Sequence, residues 1–190
     1  MKRRSITCIS LLFIGYGITY FGIDKYNNIK DLNDNELLMM KYFSKTSNKE
    51  EKKEKKKEYV SILEIPKINF KRGLYKIGSP ENKLSKNIIF LDTSDMPDKD
   101  NSRVIIVGHS GSVYNSYFKN LYKLNYKDNI VLYYKNKKYE YKVTDIYEIV
   151  KNGTLALESN KENKTLTLVT CKDDNTQLVI VSTLYKEGEV

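Results

Sequence analysis

The chain has 190 residues, 40% hydrophobic and 30% charged, with a formal net charge of +9, two cysteines and one histidine. Thirteen Lys or Arg and eight Asp or Glu fall in residues 1–58, a balance of +5, while twenty and sixteen fall in 59–190, a balance of +4. The larger part is only mildly basic and has no interleaved basic–aromatic motif, which argues against nucleic acid as a partner.

In chain order, Lys2, Arg3 and Arg4 precede an uncharged run over residues 6–23. That run is long enough to cross a bilayer as a helix. Tyr16, Tyr20 and Phe21 near its outer end suit an interfacial aromatic belt, and the basic cluster orients everything after Asp24 to the outside. A cleaved signal peptide is the rival reading, but no clear small-x-small cleavage site follows the run. Residues 1–23 are therefore expected to be a retained, single-pass membrane anchor. Residues 24–58 are expected to be a polar, charged stalk: a helical patch over 32–43, then KTSNKEEKKEKKKE as a solvated spacer.

Residues 59–190 are long enough for one domain with its own core. Apolar alternation and polar punctuation predict strands over 59–65, 69–77, 88–91, 103–107, 130–134, 139–150, 165–170 and 177–185. Two short helices are expected. One covers 80–86 after Ser79 as a cap, and the other covers 116–123, with Phe118, Leu121 and Tyr122 at helical spacing. Many short strands with polar turns predict a mostly β domain closed into a barrel. In YYKNKKYEYKV a turn at 136–137 joins two tyrosine-rich strands, whose alternate tyrosines read as barrel packing.

The chemistry concentrates in TLTLVTCKDDNTQLVIVSTL, residues 165–184, which reads as strand, cysteine, polar loop and strand. Cys171 stands where the first strand ends. The other cysteine, Cys8, lies in the N-terminal apolar run and cannot bridge to it, so Cys171 is a free thiol. His109, the one histidine, follows another β-branched run in RVIIVGHSG. A Cys and a His at two strand ends suit a nucleophile pair, in which the imidazole takes the thiol proton and holds the thiolate. The same residues also suit a buried small hydrophobe and a turn histidine.

Thr167-Leu168-Val169-Thr170-Cys171 matches the sortase signature TLxTC at every fixed position. Upstream, VIIVGHSG resembles the sortase histidine segment, and YVSILEIPKINF resembles the first strand of that family with its interrupting proline. The resemblance covers essentially all of 59–190 in the correct order, and the anchor and stalk before it also fit. It implies an eight-stranded sortase-type β-barrel on the outer face of a Gram-positive membrane. It implies cleavage of a C-terminal, LPxTG-like sorting signal on surface proteins, with the acyl group held as a thioester on Cys171. An amine of a cell-wall precursor, or of another protein, then accepts it. His109 would protonate the leaving amine and later activate the incoming one. Thr170, next to the thiol, is the expected substrate contact.

One departure stands out. Sortases usually carry an arginine just before the aliphatic run of the last strand, and Gln177 stands there in TQLVI. A glutamine amide can donate to an oxyanion but lacks the charge and fork of a guanidinium. The interval of 62 residues from His109 to Cys171 resembles the shorter-linked classes A, D and E rather than class B, which inserts a helix there. No second hydrophobic segment follows Tyr185 and no DP-aromatic lid appears upstream, which argues against the pilus-building class C. An L,D-transpeptidase also places His before Cys, but its SxGCxR flanks are not met. A papain-like hydrolase reverses the order. The non-enzymatic alternative is an anchored binding module with weak or absent catalysis. No cofactor is called for. Calcium at Glu158 and Glu162 stays open, although acids on a loop are more often simply solvated.

Overall fold

The computed structural model describes residues 2–47, 58–111, 115–151 and 162–190; in the first stretch it describes side chains at position 17 and from 19 to 44. Two compact units emerge, Met1–Glu36 and Leu37–Val190.

The first unit belongs to one helix, α1, which spans Lys2–Ser47. The backbone is helical throughout the run expected as an anchor. The side chains that made that run apolar lie mostly outside the described residues, as does the polar stretch 48–57. Among the described residues no helix is long and apolar enough to cross a membrane. The last turns of α1 belong to the second unit and touch its sheet. Phe43 meets Tyr133 edge to face with ring centroids 5.4 Å apart, and Lys71 Nζ lies 5.3 Å from the Phe43 ring centre. Burial, with Tyr134 nearby, pushes the Tyr42 phenol up to about 12.

The second unit is a mostly β, eight-stranded, nearly closed barrel. Its strands are β1 (Ser61–Ile65), β2 (Phe70–Leu74), β3 (Ile89–Phe90), β4 (Arg103–Val107), β5 (Asn129–Tyr134), β6 (Lys137–Val150), β7 (Thr165–Cys171) and β8 (Thr176–Glu189). They follow the order β2-β1-β5-β6-β8-β7-β4-β3. Each neighbouring pair is antiparallel except β4 and β7, which run parallel. The expectation of full closure is corrected here. Strands β2 and β3 stay as edges of the ladder, because β3 is only two residues long. Side chains span the gap instead: Asn87, just before β3, donates from Nδ2 to the Gly73 carbonyl at 2.8 Å and accepts from Arg72 Nε.

The interior holds Leu63, Ile65, Phe90, Leu132, Leu166, Leu168 and Ile180, with Tyr139 and Tyr141 fully buried among them. Burying each such aliphatic side chain is worth roughly 1.5–3 kcal/mol. Strand β7 is buried along nearly its whole length. Its inner residues join that core, while Val169 joins Ile105 and Val179 in a second cluster on the other face.

Both expected short helices are corrected. Residues 80–86 form successive turns, because Asn82 spends its amide on Phe90, donating to its carbonyl at 3.0 Å and accepting from its N–H at 3.2 Å. Residues 116–124 wind by i to i+3 bonds, with a 3-10 turn at Leu121–Lys123. Phe118, Leu121 and Leu124 are buried at steps of three, the repeat of a 3-10 helix, and Tyr122 points to solvent. The hairpin turn between β5 and β6 falls one residue earlier than expected, at Lys135 and Asn136. Both have positive φ (47° and 63°), as a two-residue type I′ turn requires.

Candidate active site

The site is built on β7, the strand between β4 and β8. On one side, β4 and β7 pair in parallel with a constant offset, from Arg103 with Thr165 to Val107 with Val169. The ladder continues one step further, since the Gly108 N–H donates to the Val169 carbonyl at 3.1 Å. His109 follows Gly108, past the last pair of the ladder, and the same offset of 62 residues separates it from Cys171 in sequence. On the other side β7 and β8 are antiparallel, and their last pair is Cys171 with Gln177. Side chains on directly paired residues project from one face with Cβ atoms about 4.5–5.5 Å apart. Cys171 and Gln177 therefore form a row on one face of the sheet, with His109 two residues past the end of β4.

Two hydroxyls fasten the row. Thr170 Oγ1, buried, donates to the Gly108 carbonyl at 2.7 Å, and Ser110 Oγ donates to the Cys171 carbonyl. The residue before the cysteine thus holds the residue before the histidine, and the residue after the histidine holds the cysteine. The Thr170 hydroxyl, expected to contact substrate, is directed at the Gly108 carbonyl in this structure. Gly108 has a packing reason to be glycine: a Cβ there would come within 2.6 Å of the Phe118 ring and 2.9 Å of Ile88. Phe118 in turn donates its N–H to the His109 carbonyl at 2.8 Å.

The loop between Cys171 and Gln177 is held by Asp173. One carboxylate oxygen accepts from the N–H groups of Asn175 and Thr176, both at 2.8 Å, and the other accepts from Thr176 Oγ1 at 2.6 Å. The Thr176 hydroxyl is the main reason the Asp173 carboxyl is held below its ordinary value. Lys172 turns away to Glu148, 2.6 Å from Nζ to Oε1, in an exposed ion pair of small energetic weight.

Below the row lies the second apolar cluster. Val169, Val179 and Ile105 are buried, and Val107, Tyr147 and Ile149 pack against them partly exposed. An apolar face leading to a thiol beside an imidazole suits an extended peptide with apolar side chains, its carbonyl at the sulfur.

The domain's two arginines do not fill the place of Gln177. Arg103 opens β4, six residues or about 20 Å of strand from His109. Arg72 on β2 is engaged by Asn87 and Tyr117. Glu158 lies outside the described residues. Among the described residues, no three His, Cys, Asp or Glu converge to hold a metal ion. Sequence reading missed Ser110, Gly108, Phe118 and Asp173. Of these only Asp173 left a signal, the Asp-x-x-Thr spacing of a side-chain-capped turn.

A sortase domain model matches residues 63–185. No curated protein matches the chain. Among solved structures, sortase C1 from Streptococcus agalactiae is 29% identical, with a TM-score of 0.60 over 67% of this chain and 68% of that one. The sortase D5 transpeptidase from Clostridium perfringens is 24% identical, with a TM-score of 0.62 over 82% and 98%. A lid mutant of sortase A from Corynebacterium diphtheriae is 21% identical, with a TM-score of 0.62 over 69% and 72%. The last two share the fold, and the three carry A, C and D designations. With a sortase domain match over residues 63–185 and this strand order, the chain belongs to the sortase family, whose members are in general cysteine transpeptidases.

Proposed function

We propose that this protein is a membrane-anchored sortase that cleaves a C-terminal, LPxTG-like sorting signal of surface proteins and transfers the acyl group to an amine. The observation that supports this reading is the parallel register of β4 with β7, which brings the two strands that lead to His109 and Cys171 side by side and is tied beyond its end by Thr170 to Gly108 and Ser110 to Cys171. The Cys171 thiolate attacks the scissile carbonyl carbon. The C–N bond breaks as the His109 imidazolium gives its proton to the departing amine, leaving a thioester on Sγ. An incoming amine, from a cell-wall precursor or another protein, loses a proton to His109 and displaces the thiolate. Gln177 Nε2 donates to the oxyanion in both steps, joined by backbone N–H groups near Cys171. Thr170 contributes to the substrate site by fixing the backbone beside the thiol.

The 62-residue interval supports a short-linked class of the A, D or E type. The basic cluster and uncharged run at the N-terminus support a single-pass anchor, with the barrel on the extracellular face of a Gram-positive cell. The chemistry assigned here uses protein groups alone.

Gln177 in place of an arginine favours one other reading, a sortase-fold binding module with weak or absent catalysis. Trapping separates the two. The protein is incubated with a library of sorting-signal peptides and intact mass is recorded. A peptide acyl adduct on Cys171, lost on adding hydroxylamine and absent in Cys171→Ala, is the expected result. Cleavage at the wild-type rate by Cys171→Ala would overturn the mechanism. Peptide binding with no adduct would establish the module.

A further inference from the structure

The gap between β2 and β3 is crossed by side chains, and those side chains lead to the histidine. Arg72 on β2 is buried, its guanidinium carbon lies 3.6 Å from the centre of the Tyr117 ring, and its Nε donates to Asn87. Two further bonds tie the Tyr117 segment to the strip just before β3. Asn115 Nδ2 donates to the Ser85 carbonyl at 3.0 Å, and Tyr117 Oη donates to the Lys86 carbonyl at 3.4 Å. The next residue, Phe118, packs on Phe70 of β2 with ring centroids 5.6 Å apart. That same residue covers Gly108 and holds the His109 carbonyl.

We infer that Arg72 is a positioning residue for His109, acting through Tyr117 and Phe118 across the open seam of the barrel. Cys171 ends β7 and is still paired with Gln177 of β8. His109 stands just past the end of β4, where the ladder has stopped, and its carbonyl accepts from the Phe118 N–H. A guanidinium over the Tyr117 ring and hydrogen-bonded to Asn87 fixes that segment against β2 and the residues before β3 together. A lysine keeps the charge but has neither the plane nor the Nε donor. The inference rests on His109 being the acid–base partner of Cys171.

His109 is the one histidine in the chain, so its ring protons give a single set of NMR resonances. Three variants are compared with wild type: Arg72→Lys, Tyr117→Leu, which removes the ring from a partly exposed position, and Tyr117→Phe, which keeps it. The expected result is a shifted or broadened His109 resonance in the first two and a wild-type resonance in the third, all with folded spectra. In the transfer assay kcat falls about 10- to 100-fold with KM changed little in the first two, the scale of a misplaced catalytic group. If Arg72→Lys fails to fold, Tyr117→Leu decides. A folded Tyr117→Leu protein with a wild-type His109 resonance and kcat overturns the inference. The underlying pairing is checked apart, by iodoacetamide alkylation of Cys171. If His109→Ala leaves that rate unchanged, the Cys–His assignment fails, whatever the Arg72 variants show.

Discussion

Gln177 lies directly across the hairpin from Cys171, the register that the proposed oxyanion donor requires. A neutral amide donates hydrogen bonds without the long-range field of a guanidinium. One such donor is worth about 2.7–4 kcal/mol of transition-state stabilisation where it has been removed elsewhere, so Gln177→Ala is expected to lower kcat by ~10- to 1000-fold with KM little affected. Gln177→Arg is expected to match or exceed wild type. A wild-type rate in Gln177→Ala would move the donor role to backbone N–H groups. At this scale the sequence was legible where a residue type is itself the signal. A thiol at the end of β7 and the one imidazole shortly after β4 could be located from residue type and strand pattern. The hydroxyls of Thr170 and Ser110 did not, because whether a hydroxyl faces substrate or a neighbouring carbonyl depends on strand register.

The turn joining β7 to β8 sets the spacing of Cys171 and Gln177, and one carboxylate holds it. The Thr176 hydroxyl and the N–H groups of Asn175 and Thr176 lower the Asp173 carboxyl below its ordinary 3.8, so the folded form favours the anion. The sign follows: the stabilisation is present above the ordinary aspartate value and is lost as pH falls through the lower folded value. The amide resonances of Asn175 and Thr176 should therefore hold constant to below pH 3.8 and move together only beneath it. Asp173→Ala should already displace them at neutral pH and lower turnover without unfolding the barrel. Amides that titrate at the ordinary aspartate value would contradict this. The eight strands could be read from β-branched alternation, with ends misjudged by a few residues. The two helices could not. Asn82 bonds a strand eight residues away, and Phe118, Leu121 and Leu124 follow a three-residue step that a short window cannot separate from the α repeat.

At the largest scale the chain comprises a long helix, α1, and a barrel of eight strands. If the N-terminal run anchors the protein, membrane-extracted material should retain residues 1–23; a mature N-terminus after Ile23 would refute the anchor. The sequence carried the barrel but not its open seam, since whether β3 extends far enough to meet β2 depends on contacts distant in sequence. The parallel pairing of β4 with β7 has one more consequence. The hairpin of β5 and β6, and the connection after it, lie between the two reactive residues in sequence yet do not determine their separation in space. Changes of length in those connections leave the β4–β7 register itself in place, because residues 103–107 pair directly with 165–169. A chain built this way can lengthen or shorten what lies between in sequence without sliding one of these two strands along the other.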